Sequence, residues 1–463
     1  MNLKGAVKGS LSSLILCFFI ALLSPAISNA AEKTRVLTLD DLVQMALETS
    51  PKLRMAEQDI LAAKSEYKEA RGGQLPQIDI LGTTGPTQDA RFPTVNTKTG
   101  QIISNDASTW DIGIFGDLDA FLTQPIYTFG KISNREDAAR YGVEASKAAR
   151  TAQRNKIVLE VKKLYFAYLI AEQGRHAAGD ASGYINDAAN RIQRLLDLKS
   201  PNVNSSDLYR VQAYQGEVKA FAAKAESGAR VAYAALKAEV GLPQDAQFQL
   251  KATELPQGAT KLAPVELYIQ RALSNRPELA EVKNGVAAKE KLAQAAQADL
   301  YPTIFAVVAA SVAGAPGRQE FDNTYIYDQF NHSYADFFAG VNWHIDFGVG
   351  TGKRDKARAE YQKMLSEQDY ARRNIPVEVE KYYEDAVEAG KASKDYQEAA
   401  VGARRWIVAA FSNFDLGIGT ARDMFDAIDR YGKNQGNYLE SLYKYNIALA
   451  NLDCAVGEMS AKP

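Results

Sequence analysis

Catalysis needs a nucleophile, a base or a metal ligand with partners close by, and this chain carries few such groups. Its 463 residues include three histidines, His176, His332 and His344, and two cysteines, Cys17 and Cys454. His176 and His332 have no evident carboxylate or nucleophile partner in the sequence, and His344 falls on the polar side of an alternating segment. No Gly-rich phosphate loop follows a strand. The cysteine and histidine counts are too low for a disulfide scaffold or a Cys/His metal site. An enzyme is therefore not expected, nor a cofactor or a resident metal.

The charge balance narrows the partners. Lys+Arg is 54 and Asp+Glu is 56, a net charge of −2, so the basic surplus that nucleic acid demands is absent. Beyond the N-terminus there is no apolar run of the length a membrane helix needs. Residues 1–30 read as a signal peptide: Lys4 and Lys8, an apolar core from Leu11 to Leu23, and Ser28-Asn29-Ala30 as the cleavage site. The stretch is too short and wrongly flanked for a retained anchor. Leu14-Ile15-Leu16 before Cys17 lacks the small residue that a lipoprotein signal places there. Cleavage takes away two lysines and no acid, which makes the net charge −4, and it leaves Cys454 as the last thiol.

The elements that must position any site are repeated. Ala46-Leu47-x-x-x-Pro51-x-Leu53 returns as Ala272-Leu273-x-x-x-Pro277-x-Leu279, a shift of 226 that also relates Pro76 to Pro302. Phe129-Gly130 answers Phe347-Gly348 at 218, and Asp207 and Gly241 answer Asp423 and Gly457 at 216. Two tandem repeats are expected, 31–241 and 262–457, with a linker at 242–261 and a short tail at 458–463. A period this long excludes a solenoid of short modules.

Each repeat should hold a medium helix, two strands, a very long helix and another medium helix. In the first, the helices are expected from Asp40 to Gly72-Gly73, over about 131–199 and over about 205–240. Leu208, Val211, Gln215, Val218, Ala222, Ala225, Ala229, Ala232 and Leu236 follow a heptad seam, echoed from Met424 to Leu452. Rods of that length stay helical only by lateral packing, so a coiled-coil-like assembly is expected.

Strands are expected at about 77–85, 110–124, 303–313 and 333–347. In the last, Ala335, Phe337, Ala339, Val341, Trp343, Ile345 and Phe347 alternate with a polar face carrying Asp336, Asn342, His344 and Asp346. Such alternation is the weak mark of an outer-membrane barrel, although a soluble sheet packed on helices alternates too. Four strands cannot close a cylinder, and lipid tolerates no open edge. Copies must share a barrel: two would give eight strands and a filled interior, three would give twelve and a passage.

The duplicated order of these motifs, with the Leu75-Pro76 and Tyr301-Pro302 strand entries and the Phe-Gly returns to helix, resembles the TolC family of outer-membrane efflux and secretion channels. The resemblance spans about 36–457. It implies an α+β membrane protein, a homotrimer with a long antiparallel α-helical barrel in the periplasm and a shared transmembrane β-barrel in outer-membrane lipid. It also implies a passive exit duct that docks onto a periplasmic adaptor (a membrane fusion protein) and an inner-membrane transporter. Drugs, metal ions, polysaccharide and secreted protein all stay open as cargo.

By the same resemblance the tunnel closes at turns 198–207 and 416–423. Asp423 and Asp426 then ring the bore, giving cation selectivity and block by multivalent cations, with Arg210 and Asp207 as gate partners in the first half. Asp336, Asn342, His344 and Asp346 would face the lumen, and Trp110, Tyr127, Tyr301 and Trp343 would form a membrane girdle. Departures are expected at the latch, where Phe414 stands in place of an aromatic hydroxyl. Another is expected at Pro376, which should kink the long helix, and no long C-terminal equatorial tail is expected. The rival from another class is a periplasmic coiled-coil adaptor or scaffold without a barrel.

Overall fold

A computed structural model describes residues 35–91, 93–104, 111–257, 261–320 and 325–459; the signal segment 1–30 and Trp110 lie outside them. Its first half contains β1 (Arg35–Leu37), α1 (Leu39–Thr49), α2 (Pro51–Gly72), β2 (Gln77–Gln88), β3 (Thr94–Val95), β4 (Ile102–Ser104), β5 (Ile112–Tyr127), α3 (Lys131–Asp197) and α4 (Ser205–Glu239). After β6 (Phe248–Leu250) come α5 (Val265–Asn275), α6 (Pro277–Ala298), β7 (Thr303–Gly314), β8 (His332–Asn342), α7 (Val349–Asp415) and α8 (Ala421–Val456).

The first medium helix is two helices, not one. Ser50, held in an extended conformation before Pro51, breaks it, because proline disfavours a helical residue ahead of it and has no N–H to donate. Arg276 does the same before Pro277. Thr38, a near neighbour of Asp40, caps α1: its hydroxyl accepts the Asp41 N–H at 3.2 Å, and Asp41 accepts the Thr38 N–H at 2.8 Å. Helices α3 and α7 each have 67 residues, roughly 100 Å of rod. Helix α7 continues on both sides of Pro376. Gly241 and Gly457, which follow the ends of α4 and α8, both have positive φ (71° and 82°), the left-handed stop that glycine adopts without a side-chain clash.

Strands β2, β5, β7 and β8 make one antiparallel sheet in that spatial order. Register puts Ile80, Ala120, Ala310 and Ala335 in one row, and Asp79, Phe121, Ala309 and Asp336 in the next. One face is thus apolar along its length, with Ile80 68% and Phe337 74% exposed. The other face mixes acids with aromatics, and there Val307 and Ser311 are buried.

The two largest clusters of buried residues in the helical part lie at its waist and at its far end. At the waist, Leu42, Ile157, Val161, Leu169, Leu236, Leu255 and Leu442 join α1, α3, α4 and α8 with the linker. The linker is fixed there by Leu255 N–H to Gln173 (3.1 Å) and by Asn446 to the Pro256 carbonyl (3.2 Å). Lys162, buried on α3, reaches Asp453 on α8 at 3.7 Å, and burial pushes its ammonium below the usual lysine range. The second cluster lies at the far helical end, where Ile192, Val211, Phe411, Phe414, Met424 and Phe425 meet.

Candidate functional site

Two strand ends differ from expectation. Strand β8 stops at Asn342, so His344 and Asp346 are not on the barrel wall. Asp346 instead accepts the N–H groups of Gly348 (3.1 Å) and Gly350 (2.7 Å), which starts α7. Those two bonds hold its carboxyl below the usual range, and the exposed His344 lies 3.9 Å away. Asp336 and Asn342 do share the mixed face with Asp79, Asp117 and Asp119.

Strand β5 runs on to Tyr127, and a bulge between Pro125 and Tyr127 sets Tyr127 opposite Ile304, on the apolar face. There Tyr127 meets Phe129 edge-on at 4.6 Å, and Phe129 stacks on Tyr301 at 5.5 Å. Exposed Trp343 donates its indole N–H to the Leu300 carbonyl at 3.2 Å. The base of the sheet therefore carries exposed aromatics, and Trp343 sets its polar edge on backbone, the arrangement favoured at a membrane interface.

At the helical tip the expected acids have local work. Asp423 accepts both the N–H (3.0 Å) and the hydroxyl (2.8 Å) of Thr420, capping α8, and these bonds hold its carboxyl below the usual range. Asp207 caps α4 in the same way through the Asn204 N–H at 3.0 Å. Asp426 is exposed and 3.7 Å from Arg422. Among the described residues Arg210 forms no ion pair across the hairpins of the protomer; its guanidinium lies 5.7 Å over the Phe425 ring. Phe414 is buried and packs in the tip cluster.

At the tip an ion pair joins the two hairpins: Arg191 on α3 with Asp415 on α7, at 3.0 Å, with Arg191 also 4.8 Å over Phe411. Sequence reasoning missed it because the partners are 224 residues apart and belong to no motif. Also missed was a contact of His332, which had seemed to lack a nucleophile partner: its Nε2 is 2.8 Å from Ser311 Oγ.

Along α3, helices α4 and α8 leave a groove. Hollows of about 210 and 510 Å³ lie in it, lined by Ala178, Phe221, Ala225, Gly228, Gly432, Lys433 and Gly436. Among the described residues no group of three or more His, Cys, Asp or Glu is placed to hold a metal, and no helix is long and apolar enough to cross a membrane.

A sheet with a lipid-compatible face, an aromatic base and 67-residue helices beyond it defines the wall piece of an outer-membrane channel with a helical extension. A barrel-free scaffold has no use for such strands. The chain belongs to the outer membrane efflux protein family, which it matches over residues 42–197 and 268–458. It is 20% identical over 440 residues to the outer membrane protein TolC of Vibrio cholerae, covering 94% of each chain. In fold it is similar to the outer membrane protein VceC of Vibrio cholerae, with a TM-score of 0.73, 17% identity, and 90% and 96% of the two chains covered. A membrane protein from Pseudomonas aeruginosa gives 0.74, 17%, and 92% of each chain. The protein is an outer-membrane channel component whose helical part lies in the periplasm.

Proposed function

We propose that three copies of this chain close one twelve-stranded barrel and one helical tunnel, each copy contributing two tandem repeats. The assembly is the passive exit duct of a tripartite efflux pump or a type I secretion system. It rests closed at the periplasmic tip and opens when a periplasmic adaptor docks and couples it to an inner-membrane transporter.

The observation that carries this reading is the open sheet. Among the described residues, strands β2 and β8 each have a neighbour on one side only, while their apolar face is exposed. Lipid leaves no water to satisfy a bare edge, so the edges must meet those of other copies. Twelve strands leave a passage where eight would be filled by side chains. The mixed face, with Asp79, Asp117, Asp119, Asp336 and Asn342, then lines the bore, and Tyr127, Tyr301 and Trp343 form the girdle.

In the periplasm, the groove between α4 and α8 fits an amphipathic helical hairpin of the adaptor, because its floor of Ala and Gly admits a close helix. At the tip, Arg191–Asp415 ties the two hairpins of a protomer together, and three exposed Asp426 side chains, with the outer oxygens of Asp423, face the bore.

Size-exclusion chromatography with light scattering on detergent-purified protein tests the assembly. The expected protein mass is three times that of the leaderless chain, whose full-length form is 50.6 kDa. A monomer that remains soluble without detergent sinks the proposal.

A further inference from the structure

The end of the sheet away from the helices holds contacts that conduction alone does not need. The connection from β7 to β8 turns back onto the mixed face. Phe330 meets Phe115 edge-on at 5.4 Å, and Arg318 lies 4.4 Å over Phe330 while donating to the Gln88 carbonyl at 2.7 Å. Asn331 Oδ1 accepts the Ala315 N–H at 2.8 Å, closing the base of the segment. Tyr327, 68% exposed, stands beside His332 with ring centroids 5.2 Å apart.

His332 ties this segment to the wall. Its Nδ1 is 3.1 Å from the Asp328 carbonyl, which can only accept, so Nδ1 carries the proton of the neutral ring. Nε2 then accepts from Ser311, whose Oγ is 2.8 Å away and is also 3.4 Å from Asp117 Oδ1. A proton added at Nε2 reverses that bond. Nε2–H donates to Ser311 Oγ, and the single Ser311 proton turns to Asp117. The result is a charge-assisted chain from β8 through β7 to β5. The titratable groups facing His332 are acidic or phenolic: Asp117 and the next acid on its face, Asp119, from β5, Tyr327 and Asp328 from the segment, and Tyr334 stacked at 5.6 Å on its own strand.

We propose that residues 325–331 form an outer lid on the bore, latched through Asp117–Ser311–His332 and drawn tighter when His332 is protonated, so that acid outside the cell narrows the mouth. The lid deepens the exit-duct reading and rests on it, since the mixed face must line the bore.

Asp336, two pairs deeper than His332 on the same face of β8, reports access past the lid. Asp336→Cys in the full chain is treated on intact cells with a membrane-impermeant cationic methanethiosulfonate. Ile102→Cys, on the exposed β3–β4 hairpin, calibrates insertion and the reagent's own pH dependence. Rates are compared at about pH 7.5 and about pH 5.5, the range in which histidine side chains change charge. The Asp336→Cys rate, relative to Ile102→Cys, should fall about fivefold or more on acidification, the scale of a modest coupling between sites.

Adding His332→Gln or Ser311→Ala should flatten that fall, and Tyr327→Ala or Phe330→Ala should raise the ratio at both pH values. The same fall with His332→Gln and Ser311→Ala overturns the proton latch. Ratios unmoved by both lid substitutions overturn the lid. Asp336→Cys unreactive in every background while Ile102→Cys reacts overturns the bore-lining face itself.

Discussion

Helices α4 and α8 hold corresponding places, with 35 and 36 residues and the same acid three positions after the cap. Yet α8 buries seventeen residues and α4 five, because α8 is wedged between α3 and α7 while α4 packs along α3. The seams explain it. Where α8 has Tyr438, Ser441, Tyr445 and Ala448, α4 has Ala222, Ala225, Ala229 and Ala232. Alanines let a helix approach one neighbour closely but cannot reach a second. The same heptad pattern therefore yields one internal helix and one with a bare flank, and the flank is where a partner finds room.

The sharpest test of that contrast lies two residues past each capping acid. Phe425 is 2% exposed in the tip cluster, and its counterpart at a shift of 216, Tyr209, is 66% exposed. Phe425→Ala should cost about 4 kcal/mol through lost burial and the cavity left behind. Tyr209→Ala should stay within about 0.5 kcal/mol. Denaturant unfolding in detergent measures both. An equal cost for Tyr209→Ala in the assembly would show that another copy covers the flank, leaving no place there for an adaptor.

The groove gives the next largest effect. A Cβ at Gly432 meets nothing within 4 Å, so Gly432→Leu fills the hollow without straining the protomer. Helix propensity should make the variant more stable by about 0.8 kcal/mol. Transport should nevertheless drop on the order of tenfold, the effect of about 1.4 kcal/mol of lost docking energy. Normal transport with a trimeric mass would show that the adaptor docks elsewhere.

These tests depend on features that were unevenly legible in the sequence. Helix α3 was readable to within two residues, since 67 residues of helix between Gly130 and Ser200-Pro201 leave little choice. The mixed and apolar faces were readable from period-two alternation. The end of β8 was not, because Trp343, Ile345 and Phe347 keep the alternation after Asp346 has already taken the backbone donors of Gly348 and Gly350. The break at Ser50-Pro51 is present in the repeated motif, whose recurrence marks repetition without itself announcing a helix stop. Ser311–His332 and Arg191–Asp415 are joined by folding alone, and spacing does not carry such pairs.

Capping is a smaller effect, shared by both helices. Thr420→Ala should cost about 1 kcal/mol by freeing backbone donors at the start of α8. The Thr420 bonds depress the Asp423 carboxyl, so its contribution is complete above the ordinary carboxylate value and fades as pH falls through the lowered one. Unfolding measured against pH should therefore show the wild type and Thr420→Ala converging in acid. Asp426→Asn leaves the cap intact and should weaken cation selectivity and multivalent block in single-channel recording. Unchanged selectivity would assign Asp426 to the solvated surface.

Arg191–Asp415 should affect stability least, because its side chains are 25% and 52% exposed and such pairs contribute about 0.2–1 kcal/mol. Its geometry nevertheless matters for motion. Arg191 belongs to the hairpin with the bare flank and Asp415 to the one whose last helix is wedged inside, so any separation of the hairpins at the tip must break this bond first. Arg191→Ala or Asp415→Ala should raise the resting conductance in planar bilayers while leaving the unfolding midpoint nearly in place. The exchange Arg191→Asp with Asp415→Arg should restore the closed state, since the attraction is reversed in direction and not in sign. If both single variants conduct like the wild type, the hairpins are held by their buried contact alone, and the contrast between α4 and α8 concerns docking but not gating.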